Sequence, residues 1–150
     1  TNYAKLKGGF ASSFGKQIEK AIMLTLCQIF NVDEQNYHSQ DMKDDGDFTR
    51  ETDFYFIDSK NTHFKTEVKM MGKGNPEGAD STYARDVKIF IGDTLSDTNK
   101  KQCDSENIKW IELRNLGWKK FGQVLTSLGI KNMLIKDYKK KLDKILDRTC

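Results

Sequence analysis

The stretch from Asp53 to Lys69 constrains the fold of this chain more than any other segment. Residues 53–58 and 63–70 are two short runs rich in aromatic and apolar side chains, and Ser59–Thr62 between them are residue types that favour a turn. The pattern predicts two antiparallel strands joined by a tight connection. The first run is apolar on both sides, which is typical of a strand buried in a sheet.

The return strand has two chemically different faces. Side chains alternate along a strand, so Glu67 and Lys69 share one face while Phe64, Val68 and Met70 share the other. We therefore expect one face of this strand to carry chemistry and the other to join the core.

The register of the hairpin decides which acid lies beside Glu67. Folding the chain back about residues 60 and 61 brings Asp53 close to Glu67, whereas Asp58 lies roughly 13 Å from Glu67 at about 3.3 Å per residue. A two-residue turn would pair Asp53 with Val68, which faces the wrong side. A three-residue loop or a bulge would pair Asp53 with Glu67 or Lys69, so the prediction requires one of these.

These side chains suit metal-assisted chemistry on a phosphate. The carboxylates of Asp53 and Glu67 would hold Mg²⁺, a hard cation that usually binds one or two carboxylates, waters and substrate phosphate. The ion would polarise the phosphate and help to generate hydroxide. Lys69 would stabilise the negative charge that builds up on the phosphate and would orient or deprotonate the attacking water.

The triplet of an acid, any residue and lysine is not specific by itself. It occurs five times in the chain, at Asp41–Lys43, Asp58–Lys60, Glu67–Lys69, Asp86–Lys88 and Asp137–Lys139. The copy that ends in Lys69 is distinguished by its place late in the return strand of a hairpin that begins with an acid. The alternative interpretation is a surface strand of alternating charge.

Asp53, the Glu67-Val68-Lys69 triplet and the order of predicted elements together resemble the PD-(D/E)XK nuclease superfamily, with Thr52 where that superfamily usually has proline. Within it, the run over residues 66–77 is most similar to type II restriction endonucleases of the CfrBI type. The resemblance covers about residues 14–115 and is sharpest over 51–80.

The resemblance implies a fold and an activity. The expected fold is α/β (α+β), a restriction-endonuclease-like mixed β-sheet of four or five strands flanked by helices. The expected activity is Mg²⁺-dependent hydrolysis of both strands at a specific site in double-stranded DNA, leaving 5′-phosphate ends, by a homodimer. Two alternatives remain open: a repair or junction-resolving nuclease of the same superfamily, and a non-catalytic DNA-binding or interaction domain.

A helix from a cap at residue 12 or 13 to about residue 30 is predicted by apolar residues at helical spacing, namely Ile18, Ile22, Leu26 and Ile29. Glu19 lies beside this apolar face. Nucleases of the superfamily often carry an extra carboxylate on the helix before the hairpin, so the resemblance makes Glu19 an assisting catalytic residue. The alternative is a surface glutamate paired with Lys16 or Lys20.

Two segments are predicted to be loops. Residues 31–46 are acidic and poor in core residues, and residues 72–78 contain three glycines and the chain's single proline. A Walker phosphate loop is excluded in the second segment because Lys73 is followed by Gly74 and not by Ser or Thr. Lys73 and Asn75 are candidate DNA contacts, with a plain connector as the alternative.

The remaining elements complete a single domain of 150 residues, with a core over about 14–115. We expect a short helix over 80–86, strands over 87–91 and 107–113, and helices over about 118–128 and 132–147. The chain begins at Thr1 without methionine, which is consistent with a missing upstream segment.

Composition points to a soluble, cytoplasmic protein. No apolar run reaches transmembrane length and no signal-peptide pattern is present. The three cysteines are scattered, which argues against a disulfide framework and a zinc cluster, and we expect Cys27 to be packed in the core. The two histidines, His38 and His63, lack the spacing of a zinc site.

Charge is distributed unevenly along the chain. Residues 31–58 carry nine acids and two bases, whereas residues 101–150 carry twelve bases and six acids. A metal-binding acidic part beside a basic part that tracks phosphates is expected of a nuclease. The alternative for the lysines of residues 136–148 is the solvated face of a terminal helix.

Overall fold

The computed structural model describes residues 17–43, 49–70 and 86–149, and for residues 40–43, 49–53 and 144–149 it describes the backbone alone. Residues 17–29 are helical and are called α1. The strands are β1 Tyr37–Lys43, β2 Thr49–Ile57, β3 His63–Lys69, β4 Ile89–Gly92 and β5 Lys109–Glu112. The later helices are α2 Asp97–Ser105, α3 Lys120–Ser127 and α4 Tyr138–Thr149, and short 3₁₀ turns lie at Glu34–Asn36 and Gly117–Lys119.

Within the described residues the sheet has five strands in chain order, β1-β2-β3-β4-β5. The first three strands pair antiparallel, because short connections join them, whereas β3, β4 and β5 run parallel. The connection from β4 to β5 contains α2, as a parallel pair requires. The predicted fold class, a mixed sheet of four or five strands flanked by helices, is confirmed.

The larger core lies on one face of the sheet, against α1 and α3. Phe121 of α3 contacts both Phe30 at the end of α1 and Phe56 of β2 edge-on, with ring centroids 5.3 and 5.5 Å apart. Val68 of β3 joins this cluster, and Phe64 packs against it. Cys27 is completely buried here, and this burial raises its pKa to about 12. The predicted core face of β3 is therefore confirmed for Phe64 and Val68, but Met70 is 44% exposed and lies outside the core.

A smaller core lies on the opposite face, where α2 covers β4 and β5. Its buried members are Val87, Phe90, Leu95, Cys103 and Ile108, with Trp110 packed against them. Because side chains alternate along β3, Glu67 and Lys69 point to this second face. The sheet is thus covered by α1 and α3 on one side and by α2, over β4 and β5, on the other.

The connection between β2 and β3 is the three-residue loop that the site prediction required. Asp58 N–H donates to the carbonyl oxygen of Thr62, which leaves Ser59, Lys60 and Asn61 as the loop. Asn61 adopts a left-handed conformation with φ 65°, as is common at the last position of such loops. The Asp58 carboxylate accepts hydrogen bonds from the backbone N–H groups of Lys60 and Thr62 at 2.9 and 2.8 Å. This carboxylate closes the turn.

The prediction of an exposed loop over residues 31–46 is wrong for residues 34–43, and residues 44–46 lie outside the described residues. Glu34–Asn36 form a 3₁₀ turn capped by Asp33, and Tyr37–Lys43 form β1, paired along β2. An edge strand draws its stability from this pairing and from a few cross-strand contacts, so its own sequence needs few apolar residues. Tyr37, for example, stacks on Phe54 with ring centroids 5.7 Å apart.

Two helices differ from the sequence prediction. The sequence predicts no helix at α2, because its only buried residues are Asn99 and Cys103 and it therefore lacks an apolar stripe. Ser96 caps this helix by accepting a hydrogen bond from Asn99 N–H at 3.1 Å. α4 begins at Tyr138 and not near residue 132. The chain before it is held to the end of α1 by backbone hydrogen bonds from Met133 and Ile135. The predicted helix over 80–86 lies outside the described residues, except for Asp86, which is in a turn.

Candidate active site

Glu67 and Lys69 lie together at the carboxyl end of β3. The Lys69 Nζ atom is 3.3 Å from Glu67 Oε1, and the two side chains are only 27% and 18% exposed. Residues two apart on a strand point the same way, so strand geometry alone brings this acid and this base together. The pair is half-buried because the second core begins at the neighbouring strand, where Phe90 lies beside Glu67.

The second carboxylate oxygen of Glu67 is the most unusual polar atom among the described residues. Glu67 Oε2 is buried and has no hydrogen-bond partner there. A buried carboxylate oxygen without a partner is costly, typically by about 1–3 kcal/mol or more for a charged group. Because Mg²⁺ binds carboxylate oxygen, a divalent cation at this atom would remove that cost. The residues present therefore fit the expected metal.

The described pairing of β2 with β3 stops one residue short of Asp53 and Glu67. The β2–β3 ladder runs from Ile57 paired with His63 to Phe54 paired with Thr66. Continued by one residue in the same register, it would set Asp53 opposite Glu67, on the face that Glu67 shares with Lys69. The Asp53 side chain lies outside the described part of the structure, so its role as a metal ligand stays a prediction.

The three parallel strands end at the same edge of the sheet. Lys69 pairs with Gly92 of β4, and Gly92 pairs with Glu112 of β5. Ligands in sheets with parallel strands commonly bind beyond these carboxyl ends. Glu112 lies on the same face as Glu67, but both of its oxygens are engaged: Oε2 accepts from Leu95 N–H at 2.6 Å and Oε1 lies 3.4 Å from Lys100 Nζ. Glu112 therefore anchors the loop before α2, whereas Glu67 Oε2 has no such partner among the described residues.

The other predicted site residues are not brought to this point by described contacts. Glu19 is half-buried in α1, which packs on the face opposite to Glu67, and it takes part in other interactions. Its assisting role stays a prediction. Lys73 and Asn75 lie outside the described residues. Among the described side chains, which do not include that of Asp53, no group of three His, Cys, Asp or Glu residues could hold a metal ion.

Comparison with known proteins gives one match. The family model of the CfrBI restriction endonuclease matches residues 1–100. The chain belongs to the CfrBI restriction endonuclease family. Comparisons with curated proteins and with solved structures gave no match.

The family match contains the candidate site. Residues 1–100 include α1, β1 to β4 and the first turn of α2, and therefore Glu67 and Lys69. β5, α3 and α4 lie beyond the matched range. The predicted CfrBI-type restriction endonuclease is therefore confirmed at the level of the family. None of the helices in the described ranges is long and apolar enough to cross a membrane.

Sequence reasoning missed two groups of side chains that the sheet assembles. Lys120 Nζ lies 3.5 Å from the ring centroid of Trp110, and Trp110 Nε1 donates a hydrogen bond to Asp104 at 3.0 Å. These three residues line an open cleft of about 310 Å³. Burial lowers the pKa of Lys120. His38 and His63, far apart in sequence, also meet on the sheet. No spacing motif could have found either group, because each joins separate elements.

Proposed function

We propose that this chain is a Mg²⁺-dependent nuclease of the PD-(D/E)XK type that hydrolyses both strands of double-stranded DNA at a specific site. The observation that carries the proposal is the buried, unpartnered Oε2 of Glu67, whose carboxylate pairs with Lys69 at the carboxyl end of β3. Membership of the CfrBI restriction endonuclease family supports the activity.

Asp53 and Glu67 would hold the metal, one from each strand of the hairpin. When bound, Mg²⁺ supplies polarisation of the scissile phosphate and a lower pKa for water in its shell. The three-residue loop between β2 and β3 supports this assignment, because the register it sets would place Asp53, one residue beyond the Phe54–Thr66 pair, opposite Glu67.

Lys69 would act on the water and on the phosphate. Its ammonium nitrogen lies 3.3 Å from Glu67 Oε1, so Lys69 is directly beside the proposed metal ligand. From there the ammonium donates hydrogen bonds to the attacking water and to the phosphate oxygens as their negative charge grows.

Cleavage of long, sequence-diverse duplex DNA tests the proposal. With Mg²⁺ the wild-type chain should give discrete bands, and chelator should abolish them. Lys69→Ala should lower kcat by roughly 10²- to 10³-fold, as expected for removal of one transition-state donor. Asp53→Asn and Glu67→Gln should remove cleavage and metal dependence together. Glu19→Gln in the same assay tests the assisting role of Glu19.

The chain contains a matched control. Asp86 and Lys88 repeat the acid, any residue, lysine spacing and form an ion pair of 3.4 Å, but their side chains are 91% and 52% exposed. Lys88→Ala should therefore cleave as the wild type does. Equal loss of activity in Lys69→Ala and Lys88→Ala would overturn the assigned role. Smeared products would indicate relaxed or structure-directed cleavage, and binding without cleavage would indicate a non-catalytic DNA-binding domain.

A homodimer is part of this proposal. A dimer would bring two sites to the two strands of a palindrome, so the symmetry of the protein would match the symmetry of the target. Light scattering after size-exclusion chromatography tests it, with and without duplex DNA. A chain that stays monomeric on its cleaved DNA would refute this part while leaving the active site intact.

A further inference from the structure

We propose that His38 and His63 form a second cation site, for a divalent transition metal of the zinc type, on the face of the sheet that carries Glu67. The two residues are the only histidines of the chain and lie 25 positions apart in sequence. The sheet brings their rings together edge to face, with centroids 5.7 Å apart and an interplanar angle of 85°.

The separation of the rings matches a shared metal ion. Zinc lies about 2.0–2.1 Å from an imidazole nitrogen, which places two imidazoles on one tetrahedral zinc with ring centroids about 5 Å apart. The observed 5.7 Å is within about 1 Å of that separation. The spacing of the two rings is therefore compatible with one shared ion.

The hairpin loop prepares His63 as a ligand. His63 Nδ1 lies 3.0 Å from the carbonyl oxygen of Asn61. A carbonyl oxygen can only accept, so in the neutral ring this hydrogen bond requires the proton on Nδ1 and leaves the lone pair on Nε2. Metal-binding histidines commonly have this second hydrogen bond, which orients the ring and sets the tautomer. The left-handed Asn61 is thus tied to the orientation of the ligand.

Tyr55 supports the pair from the strand between them. His38 of β1 pairs with Tyr55 of β2, and their rings stack at 5.1 Å with an interplanar angle of 14°. Tyr55 also contacts His63 edge-on at 6.2 Å. The tyrosine ring holds the two imidazoles over the sheet, where His38 is half-buried and His63 is exposed to solvent.

The site is separate from the proposed catalytic carboxylates. His63 and Glu67 lie on the same face of β3, four residues and therefore roughly 13 Å apart. The ligand chemistry also differs, because imidazole prefers zinc, copper or nickel whereas carboxylates prefer magnesium. Two protein ligands leave the remaining coordination positions open to water or to an anionic oxygen.

Calorimetric titration with zinc chloride, in excess Mg²⁺ so that the carboxylate site is occupied, tests the inference. The wild-type chain should bind one zinc ion at this site. Loss of an outer-shell partner alone commonly costs about 10- to 100-fold in metal affinity, so His38→Ala and His63→Ala should each weaken binding by at least about tenfold. Glu67→Gln should bind zinc as the wild type does, which separates this inference from the nuclease proposal.

A spectroscopic readout keeps the test clear of folding defects and of thiols. Because the chain has two histidines, an imidazole-selective ¹H–¹⁵N spectrum should show two ring systems, and both should shift with zinc. Zinc affinity that persists unchanged in the double His38→Ala, His63→Ala variant would overturn the inference and indicate ligands other than histidine. Absence of zinc binding by the folded wild-type chain would overturn it as well.

Discussion

Glu67→Gln should abolish the stabilisation of this protein by Mg²⁺. The variant keeps the size of the side chain but removes the charge of a carboxylate that is 18% exposed and has one buried, unpartnered oxygen. A ligand that binds only the folded state stabilises it by RT ln(1 + [L]/Kd). At a Mg²⁺ concentration ten times the dissociation constant, the wild type should therefore gain about 1.4 kcal/mol.

The expected change in melting temperature follows from the size of the chain. For a domain of 150 residues, 1 kcal/mol corresponds to a shift of about 2–4 °C in Tm, so Mg²⁺ should raise the wild-type Tm by about 3–6 °C. Thermal unfolding followed by circular dichroism measures this shift, with ionic strength held constant by NaCl. Comparing each variant with and without Mg²⁺ cancels the effect of the substitution on the metal-free protein.

Glu112→Gln is the matched control for this prediction. Glu112 lies on the same face of the sheet and its side chain is 23% exposed, but both of its oxygens have partners. We expect the substitution to lower the metal-free Tm and to leave the Mg²⁺ shift unchanged. A Mg²⁺ shift that survives in Glu67→Gln, or one that disappears in Glu112→Gln, would refute the assignment of the metal to Glu67.

Three further predictions concern the fold around the site. Hydrogen bonding by the Thr62 N–H lowers the pKa of Asp58 below its ordinary value of 3.8. The contribution of the Asp58 carboxylate to stability should therefore be present above about pH 4 and be lost as pH falls through the lowered pKa. Urea unfolding of the wild type and of Asp58→Ala between pH 2 and 6 would measure this loss. Gly117→Ala would place a Cβ atom 1.9 Å from the Glu112 carbonyl oxygen, so urea unfolding should show a loss of about 1–3 kcal/mol or more. Cys27, whose pKa burial raises to about 12, should resist iodoacetamide at pH 8 until the protein unfolds, which mass spectrometry would follow.

Each of these predictions has its own control or contrary result. A difference between wild type and Asp58→Ala that is independent of pH would show that the carboxylate charge is not what stabilises the loop. Gly129→Ala is the control for Gly117, since Gly129 has φ 77° with no atom within 4 Å of an added Cβ, so only backbone strain of about 1–2 kcal/mol should appear. Rapid alkylation of Cys27 in the folded protein would contradict its burial.

Local sequence was sufficient to predict the hairpin and its chemical face. The alternation of Glu67, Val68 and Lys69 and the turn residues between the strands act over a few residues, so their geometry does not depend on distant contacts. The site prediction required either a three-residue loop or a bulge, and the structure has the three-residue loop. The assignment of Asp53 as a metal ligand stays a prediction.

Elements stabilised by pairing or packing with distant residues could not be predicted. The sequence predicts a loop where β1 lies because this segment has few apolar residues, and it predicts no helix at α2 because α2 buries only Asn99 and Cys103. β1 is stable because β2 supplies hydrogen bonds to it. α2 is stable because the edge of the sheet supplies apolar surface against which it packs.

The sequence by itself therefore determined the hairpin and the side-by-side placement of an acid and a lysine at its end, since strand periodicity is a property of the local chain. Only the tertiary structure decided that one oxygen of Glu67 is buried without a partner, that Glu112 on the same face is engaged, and that two distant histidines meet. Burial and cross-strand neighbours depend on which elements pack together, and no short stretch of sequence encodes that.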